Sequence, residues 1–547
     1  MYVIAAPYDV RMALTDFPNQ DFEKPEPRDV PEPPGSVRDR LVPPFRGNPL
    51  WGWLGPLVVA VFGAFLRFDR LGTPKAVVFD ETYYAKDALS LIRFGVERVA
   101  VKDADKLLLS GKTDIWQNCA PTDLGPCASY VVHPPLGKWM IGVGEWLFGA
   151  NPFGWRFAAA LVGALSVLMV ARIARRMTRS TLLGCLAGLL LAVDGLHFVL
   201  SRTALLDVFL MFWVLAGFGC LVVDRDRARE RLAGWYEGSR LSGTGPWLGV
   251  RPWRIAAGVC LGAACATKWS GMFFLVAFAV MSLVWDAGAR RAIGLRRPFS
   301  GALRRDLPTA LAGLGLVPIV AYMASWTGWF TTPYGYGRNW AQATGSGPVF
   351  FVRDSLHSWW NYQSMVLGFH TGLDSTHPYQ SQPWQWPLLL RPVAFFYESP
   401  DGCGPSKCAQ AVLGVGTPVI WYGALVALIA LVAWYVATRD WRAGAVLLAY
   451  GVGWLPWFYY AIADKRTMFL FYTAPMLPFM ALALALAAGL LIGPAGARPG
   501  RRLVGAAVSG AFVLVALINF WWLYPVISAE IIPYDDWHRR MLFDRWI

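Results

Sequence analysis

Apolar stretches long enough to cross a bilayer recur along this chain, separated by loops crowded with arginine. Hydrocarbon about 30 Å thick demands roughly 20 residues of helix, because no water is present there to satisfy a bare backbone. With 56% hydrophobic and 16% charged residues among 547, the chain reads as an all-α polytopic membrane protein. Eleven spans are expected, at about 51–68, 153–173, 182–200, 205–223, 254–267, 270–286, 307–326, 417–437, 443–461, 468–492 and 503–524.

The loops fix the expected orientation. RIARRMTR (172–179), DRDRARER (224–231) and GARRAIGLRRPFSGALRRD (288–306) all fall on one side of this parse, and arginine-rich loops mark the cytoplasmic side. Residues 1–50, polar and proline-rich, then form a disordered cytoplasmic tail. Residues 51–326 form a first transmembrane module with a large outer loop at 69–152. A second outer loop covers 327–416, a second module 417–524, and an outer tail 525–547. Within the first loop, HPPLGKWMIGVGEWLFG (133–149) is too short and too interrupted to span, and is expected to lie along the interface. The formal charge of +14 follows from the cytoplasmic arginines, so it calls for no nucleic-acid partner.

Cysteine placement agrees with this sidedness. Cys185, Cys220, Cys260 and Cys265 fall inside spans as small apolar fillers. Cys119/Cys127 and Cys403/Cys408 form two close pairs, one in each outer loop, and are read as local disulfides of an oxidising compartment. A metal site is the rival reading, but no histidine stands near either pair in ligand spacing.

Ionisable groups near the membrane are costly and mark function, and the acidic pair Asp80-Glu81 in VVFDETYYAK (77–86) stands first among them. Taken alone, Asp80 also makes a good N-cap for the run that follows, and Glu81 suits the first helical turn. Neighbours on a helix point about 100° apart, so one carboxylate is expected to react and the other to position. Arg67, His133, Lys138, Arg156, Arg202, Asp207, Lys268 and the Lys465-Arg466 pair gather at the same outer boundary. Singly each could snorkel to the interface. Together, an acidic pair facing many cations suits transfer of a group from a phosphate-bearing donor, with a carboxylate base and cations holding the leaving phosphate. Lys268 carries most information, since Lys-Trp-Ser-Gly interrupts an apolar run with no packing rationale of its own. His133, followed by two prolines, serves as readily as a rigid helix entry.

The second outer loop is dense in aromatic and small polar residues, as in WTGWFTTPYGYGRNW (326–340) and HPYQSQPWQWPLLLRP (377–392). At about 90 residues it is longer than structureless loops usually are, so a folded cover over an acceptor or sugar is expected. No P-loop, dinucleotide fingerprint, zinc-protease helix or Gly-x-Ser-x-Gly elbow occurs. An outward site also has little access to cytosolic nucleotide sugars, which points to a lipid-borne donor.

The motifs VVFDETYYAK (77–86), HPPLGK (133–138), FGWRFAAALVG (153–163), SRTALLDVFLMFW (201–213), KWSGMFF (268–274), HPYQSQPWQWPLLLRP (377–392) and KRTMFLFYTAPMLPF (465–479) occur in order over about 50–525. In this set the chain resembles the bacterial branch of the protein O-mannosyltransferase family. The resemblance implies a GT-C fold and inverting transfer of mannose from a polyprenyl-phosphate donor to Ser or Thr of secreted polypeptides, without a cofactor or metal. It implies Asp80 as base and Glu81 as its partner in orienting the acceptor. Arg67 and Arg156 match arginines important in the family, and Lys268 a lysine near the lipid phosphate. The chain lacks the β-trefoil insert of eukaryotic members. Expected partners are the donor lipid, membrane lipid and a Ser/Thr-containing polypeptide, and whether the chain pairs with itself or the secretion channel stays open. Two other readings share some of these features: another polyprenyl-phosphate-sugar transferase acting on a lipid or glycan, and a transporter or flippase.

Overall fold

The structure is a computed structural model that describes residues 37–45, 48–117, 127–238, 243–341, 345, 347–404 and 406–547. Helix dominates. Among the described residues, nine helices are long and apolar enough to cross a membrane: Trp51–Phe68, Pro152–Thr178, Leu206–Tyr236, Gly271–Ala292, Pro298–Ser325, Pro418–Thr438, Trp441–Ile462, Leu470–Ile492 and Pro499–Ile527. The other two expected spans, 182–200 and 254–267, correspond to shorter helices. Thr181–Ala192 stops at Val193, and Gly195–Leu200 restarts after Asp194. Asp194 caps that restart, with His197 N donating to Oδ1 at 2.9 Å, while Trp421 Nε1 donates to Oδ2 at 2.8 Å. Pro252–Thr267 ends at Lys268, whose backbone is extended.

Several loops expected from the sequence are helix. DRDRARER continues the Leu206–Gly238 helix without a break, because its carboxylates and guanidiniums pair instead of dispersing into water. Asp224 binds Arg251 at 2.9 Å, Asp226 binds Arg176 at 2.9 Å, and Arg290 holds Asp306 at 2.8 Å. Asp207, in the first turn of the same helix, lies about 25 Å from Asp224 at a rise of ~1.5 Å per residue. The arginine belt and the polar groups around Asp207 therefore sit at opposite ends of the bundle, separated by about the thickness of a hydrocarbon core.

Part of the expected tail also departs from disorder. Val37–Leu41 is a short helix, and Leu41 is buried in a small cluster with Ala228, Leu232 and Ile293. The ring of Phe45 sits against the guanidiniums of Arg179 and Arg175, at 4.3 and 4.8 Å. Residues 1–36 lie outside the described residues.

The interfacial stretch forms the helix Leu136–Phe148, which leaves Val143, Trp146, Leu147 and Phe148 exposed and turns Lys138 and Glu145 inward. The two buried charges differ. Lys138 pairs with Glu97, with Asp87 at 3.6 Å, whereas neither oxygen of Glu145 has a partner. Burial, opposed only weakly by Arg93, pushes the Glu145 carboxyl well above the usual Glu range. A group raised on folding adds no penalty below its unfolded value and a growing one as pH rises above it. Glu145→Gln is therefore expected to raise the melting temperature at pH 8 and leave it unchanged near pH 4, as read by thermal scans at both pH values.

The second outer region is folded. The 24-residue helix Pro348–Thr371 is followed by β1 (Val393–Glu398) and β2 (Cys408–Gly414), a hairpin bridged by a Cys403–Cys408 disulfide. Val393 pairs with Gly414, and a register shift falls between Ala394 and Phe396. The stretch expected as an outer tail supplies β3 (Ile531–Pro533), which completes an antiparallel sheet in the order β1-β2-β3. This small sheet is the one addition to a mostly helical fold among the described residues. Phe395, Ala409, Ala411 and Leu413 face the main hydrophobic core. Cys127 is disulfide-bonded, while its expected partner Cys119 lies outside the described residues.

Candidate active site

The segment between the Trp51–Phe68 helix and the Glu81–Phe94 helix is held by two buried arginines. Arg202 donates to the carbonyls of Leu66, Arg67 and Arg70 at 2.9 to 3.1 Å, and to that of Asp69. Those groups belong to the C-terminal end of the first helix, where carbonyls lack helical partners. Arg156 donates to the carbonyls of Pro74 and Ala76, both at 2.9 Å. Its Nε and Nη2 also grip Glu81 as a fork, at 2.8 and 2.9 Å. Glu81 accepts two further bonds, from Val78 N at 2.9 Å and Ala204 N at 3.0 Å.

This shell corrects one expectation about Glu81. Its carboxylate is 0% exposed and its oxygens already accept four bonds, so it holds the turn in place and does not reach toward an acceptor. Arg67, Arg156, Arg202 and Lys138, expected as phosphate-binding cations, likewise direct their donors to protein groups. Arg67 donates to the carbonyls of Gly63 and Ala192 and contacts His197, and Lys138 is taken up by Glu97 and Asp87. In each case a buried charge has found oxygen acceptors inside the protein, as buried charges must.

Asp80 behaves in the opposite way. It occupies the N-cap position of the Glu81–Phe94 helix, yet its side chain makes no capping hydrogen bond. Burial, with the Asp207 charge acting in the same direction and Lys268 opposing, pushes its carboxyl up to about 6. The group is thus an unbonded base poised near neutral pH, the range that suits proton transfer.

Lys268 stands where the chain leaves one helix and doubles back into the next. The break is explained by Gly271, where a Cβ would come within 2.6 Å of the Ala264 carbonyl carbon. Lys268 Nζ binds both oxygens of Asp207, at 3.0 and 2.9 Å, and lies 5.1 Å from the Tyr472 ring centre. An ammonium has three protons, so one remains for a ligand.

Lys268, Asp207, His133, His370, Arg466 and Tyr472 line a cavity of about 590 Å³. His370, not singled out from the sequence, organises its cationic end. Its ring stacks on His133 at 5.3 Å. Nε2 meets the Val132 carbonyl at 2.8 Å and therefore carries the proton, which leaves Nδ1 to accept from Arg466 Nη2 at 3.2 Å. Burial and the Arg466 charge pull the His370 ring down to about 4, and burial with Lys268 pulls His133 well below the usual range. Both rings are neutral at physiological pH. The remaining wall is apolar and includes Met272, Phe273, Ile319, Trp360 and Leu367. Of these, Met272, Ile319, Trp360 and Leu367 are also exposed, so the cavity is open on its apolar side. Among the described residues no group of three or more His, Cys, Asp or Glu is arranged to hold a metal ion.

The arrangement combines a carboxylate without a capping bond, a cavity with cations at one end, and an apolar wall that is open. Its fold is shared with a chain of the Saccharomyces cerevisiae protein O-mannosyltransferase Pmt1-Pmt2 complex bound to the sugar donor. The TM-score is 0.65 over 91% of this chain and 92% of that one, at 15% identity. The protein is therefore a multi-pass membrane protein of GT-C architecture. Residues 57–297 match the family described as dolichyl-phosphate-mannose-protein mannosyltransferase, and 355–546 match the C-terminal four TMM region of protein-O-mannosyltransferase. The polyprenol-phosphate-mannose--protein mannosyltransferase of Mycolicibacterium smegmatis is 40% identical, with 92% of this chain and 96% of that protein aligned. The enzyme of the same name from Mycobacterium tuberculosis is also 40% identical, over 91% and 92%. The chain belongs to the protein O-mannosyltransferase family.

Proposed function

We propose that this protein transfers mannose from a polyprenyl-phosphate-mannose donor to Ser or Thr hydroxyls of polypeptides. The observation that carries the reading is a carboxylate, Asp80, that makes no capping bond and lies within electrostatic reach of Lys268 and Asp207, which line a cavity cationic at one end and apolar at the other. The prenyl chain lies along Met272, Ile319, Trp360 and Leu367, and the phosphate meets Lys268 and Arg466. Asp80 accepts the proton of the acceptor hydroxyl as its oxygen bonds to the anomeric carbon. The bond from that carbon to the phosphate oxygen breaks on the opposite face, the electron pair leaves with the phosphate, and the configuration inverts. Lys268 and Arg466 hold the charge that develops there, so no metal is invoked.

The site faces the extracytoplasmic side in this proposal, with the N-terminus in the cytoplasm. Support comes from the arginine belt at the far end of the Leu206–Gly238 helix. An acceptor arriving as an extended chain, as on leaving the secretion channel, suits such a site. Incubating membranes containing the protein with labelled mannosyl lipid and a Ser/Thr-rich peptide tests the reading. Label is expected in the peptide, and label confined to lipid would exclude a protein acceptor.

Lys268→Ala removes one charge-assisted bond to the phosphate, of the kind that contributes about 1.5–3 kcal/mol. The KM for donor lipid is expected to rise roughly tenfold to a hundredfold. Because the change also strands Asp207, the Lys268→Ala, Asp207→Asn pair is measured alongside, and it should show the same donor defect with better folding.

A further inference from the structure

The residue before Asp80 has an unusual backbone. Phe79 has φ of 49°, in the left-handed region where a bulky side chain is a genuine outlier. Such a conformation persists only where the surroundings over-determine it. The turn itself is bonded on both sides: Glu81 N donates to Val78 O at 3.0 Å, and Thr82 N to Phe79 O at 3.3 Å.

Four rings from two distant parts of the chain enclose the Phe79 ring. It stacks on Phe395 of β1 at 5.0 Å. It meets Phe471, Phe469 and His377 edge-on at 5.7, 6.2 and 6.3 Å. Phe471 in turn lies 5.9 Å from Lys268 Nζ. One aromatic cluster therefore touches the turn that carries Asp80, the second outer region, and the segment beneath the cationic end of the cavity.

We propose that Phe79 is a positioning residue: its ring, keyed into the socket of Phe395, Phe469, Phe471 and His377, holds the left-handed turn that sets Asp80 in place relative to Lys268 and Asp207. The socket draws on the second outer region, so the base is aligned only when that region is seated. The inference rests on the reading of Asp80 as the base.

Substitution separates the ring from the backbone. Glycine adopts this φ without strain, so Phe79→Gly keeps the turn affordable while emptying the socket, and Phe79→Leu fills part of the socket with no ring. Phe79→Tyr restores a ring. Full-length protein in lipid nanodiscs is assayed for kcat, donor KM and melting temperature, with mannosyl lipid and a Ser/Thr peptide. Phe79→Gly and Phe79→Leu are expected to lose roughly tenfold to a hundredfold in kcat, the scale set by misplacing a reacting group by about an ångström. Their donor KM should change by less than about threefold, the pattern of an effect on the reaction step rather than on binding, and Phe79→Tyr should recover most of the turnover. Phe395→Leu, which opens the socket from the other side, should reproduce the kcat loss and decides the matter if the Phe79 variants fold poorly. A Phe79→Gly or Phe395→Leu protein with unchanged kcat would overturn the proposal, as would variants that lose only thermal stability. Asp80→Asn measured in parallel distinguishes the failures: if it stays active, the reading of the base is wrong, and if it is inactive while Phe79→Leu and Phe395→Leu turn over normally, only the positioning role fails.

Discussion

Asp80→Asn is expected to lower kcat by about a hundredfold to ten-thousandfold, the range over which a positioned general base contributes. The amide has nearly the same shape and cannot take a proton. Nothing in the fold leans on the carboxylate, since Asp80 makes no capping bond, so the melting temperature and donor binding should stay close to those of the unaltered protein. The same residue sets the pH dependence. With its carboxyl pushed up to about 6, the base form is lost as pH falls through that value. A plot of kcat should drop about tenfold per pH unit below 6 and level off above it. His370, pulled down to about 4, adds no limb between pH 5 and 8, and burial moves His133 in the same direction. Asp87, beside Lys138, is also raised to about 6, so the profile is repeated in Asp87→Asn, where the limb should persist.

Arg156→Ala is expected to be the most destructive single change to the site's framework. It strips Glu81 of its fork and leaves a carboxylate that is 0% exposed without its counter-charge. It also frees the carbonyls of Pro74 and Ala76. Breaking a buried pair by removing one partner costs about 3–5 kcal/mol, a large share of the stability of most proteins. Loss of folded protein in detergent, seen as a lower melting temperature or poor recovery by size-exclusion chromatography, is the expected outcome. A variant that folds normally and loses only donor affinity would return Arg156 to the phosphate role first expected of it.

That contrast shows what the sequence could and could not carry. Nine of the eleven expected spans were legible because hydrocarbon enforces length and polarity, whereas 182–200 is broken at Asp194 and 254–267 stops short of a span at Lys268. The break at Lys268 was legible because an apolar run has no reason of its own to contain Lys-Trp-Ser-Gly. Asp80 and Glu81 were legible as a pair, and their adjacency already required separate roles. The partners of the arginines were not. A guanidinium at a membrane boundary looks the same whether it meets a phosphate, a carboxylate or the last carbonyls of a helix. Arg67, Arg156 and Arg202 meet protein oxygens that lie far away in sequence. His370 carried no signal either, being one of two histidines in an aromatic helix until the fold sets its ring on His133. Phe79 was in view within the motif, but its left-handed backbone belongs to the turn and not to the letter.

The small sheet carries a consequence for how the protein is made. β1 and β2 precede the last four long apolar helices, whereas β3 follows all of them. During synthesis the hairpin must wait, with the edge of β2 unpaired, until those helices have been threaded into the bilayer and Ile531–Pro533 can join it. With the sheet on the extracytoplasmic side, as proposed, a ribosome stalled before that point would leave an open strand edge exposed there. Such edges recruit other strands, so this brief interval is when a quality-control protease or chaperone on that side would have most to recognise.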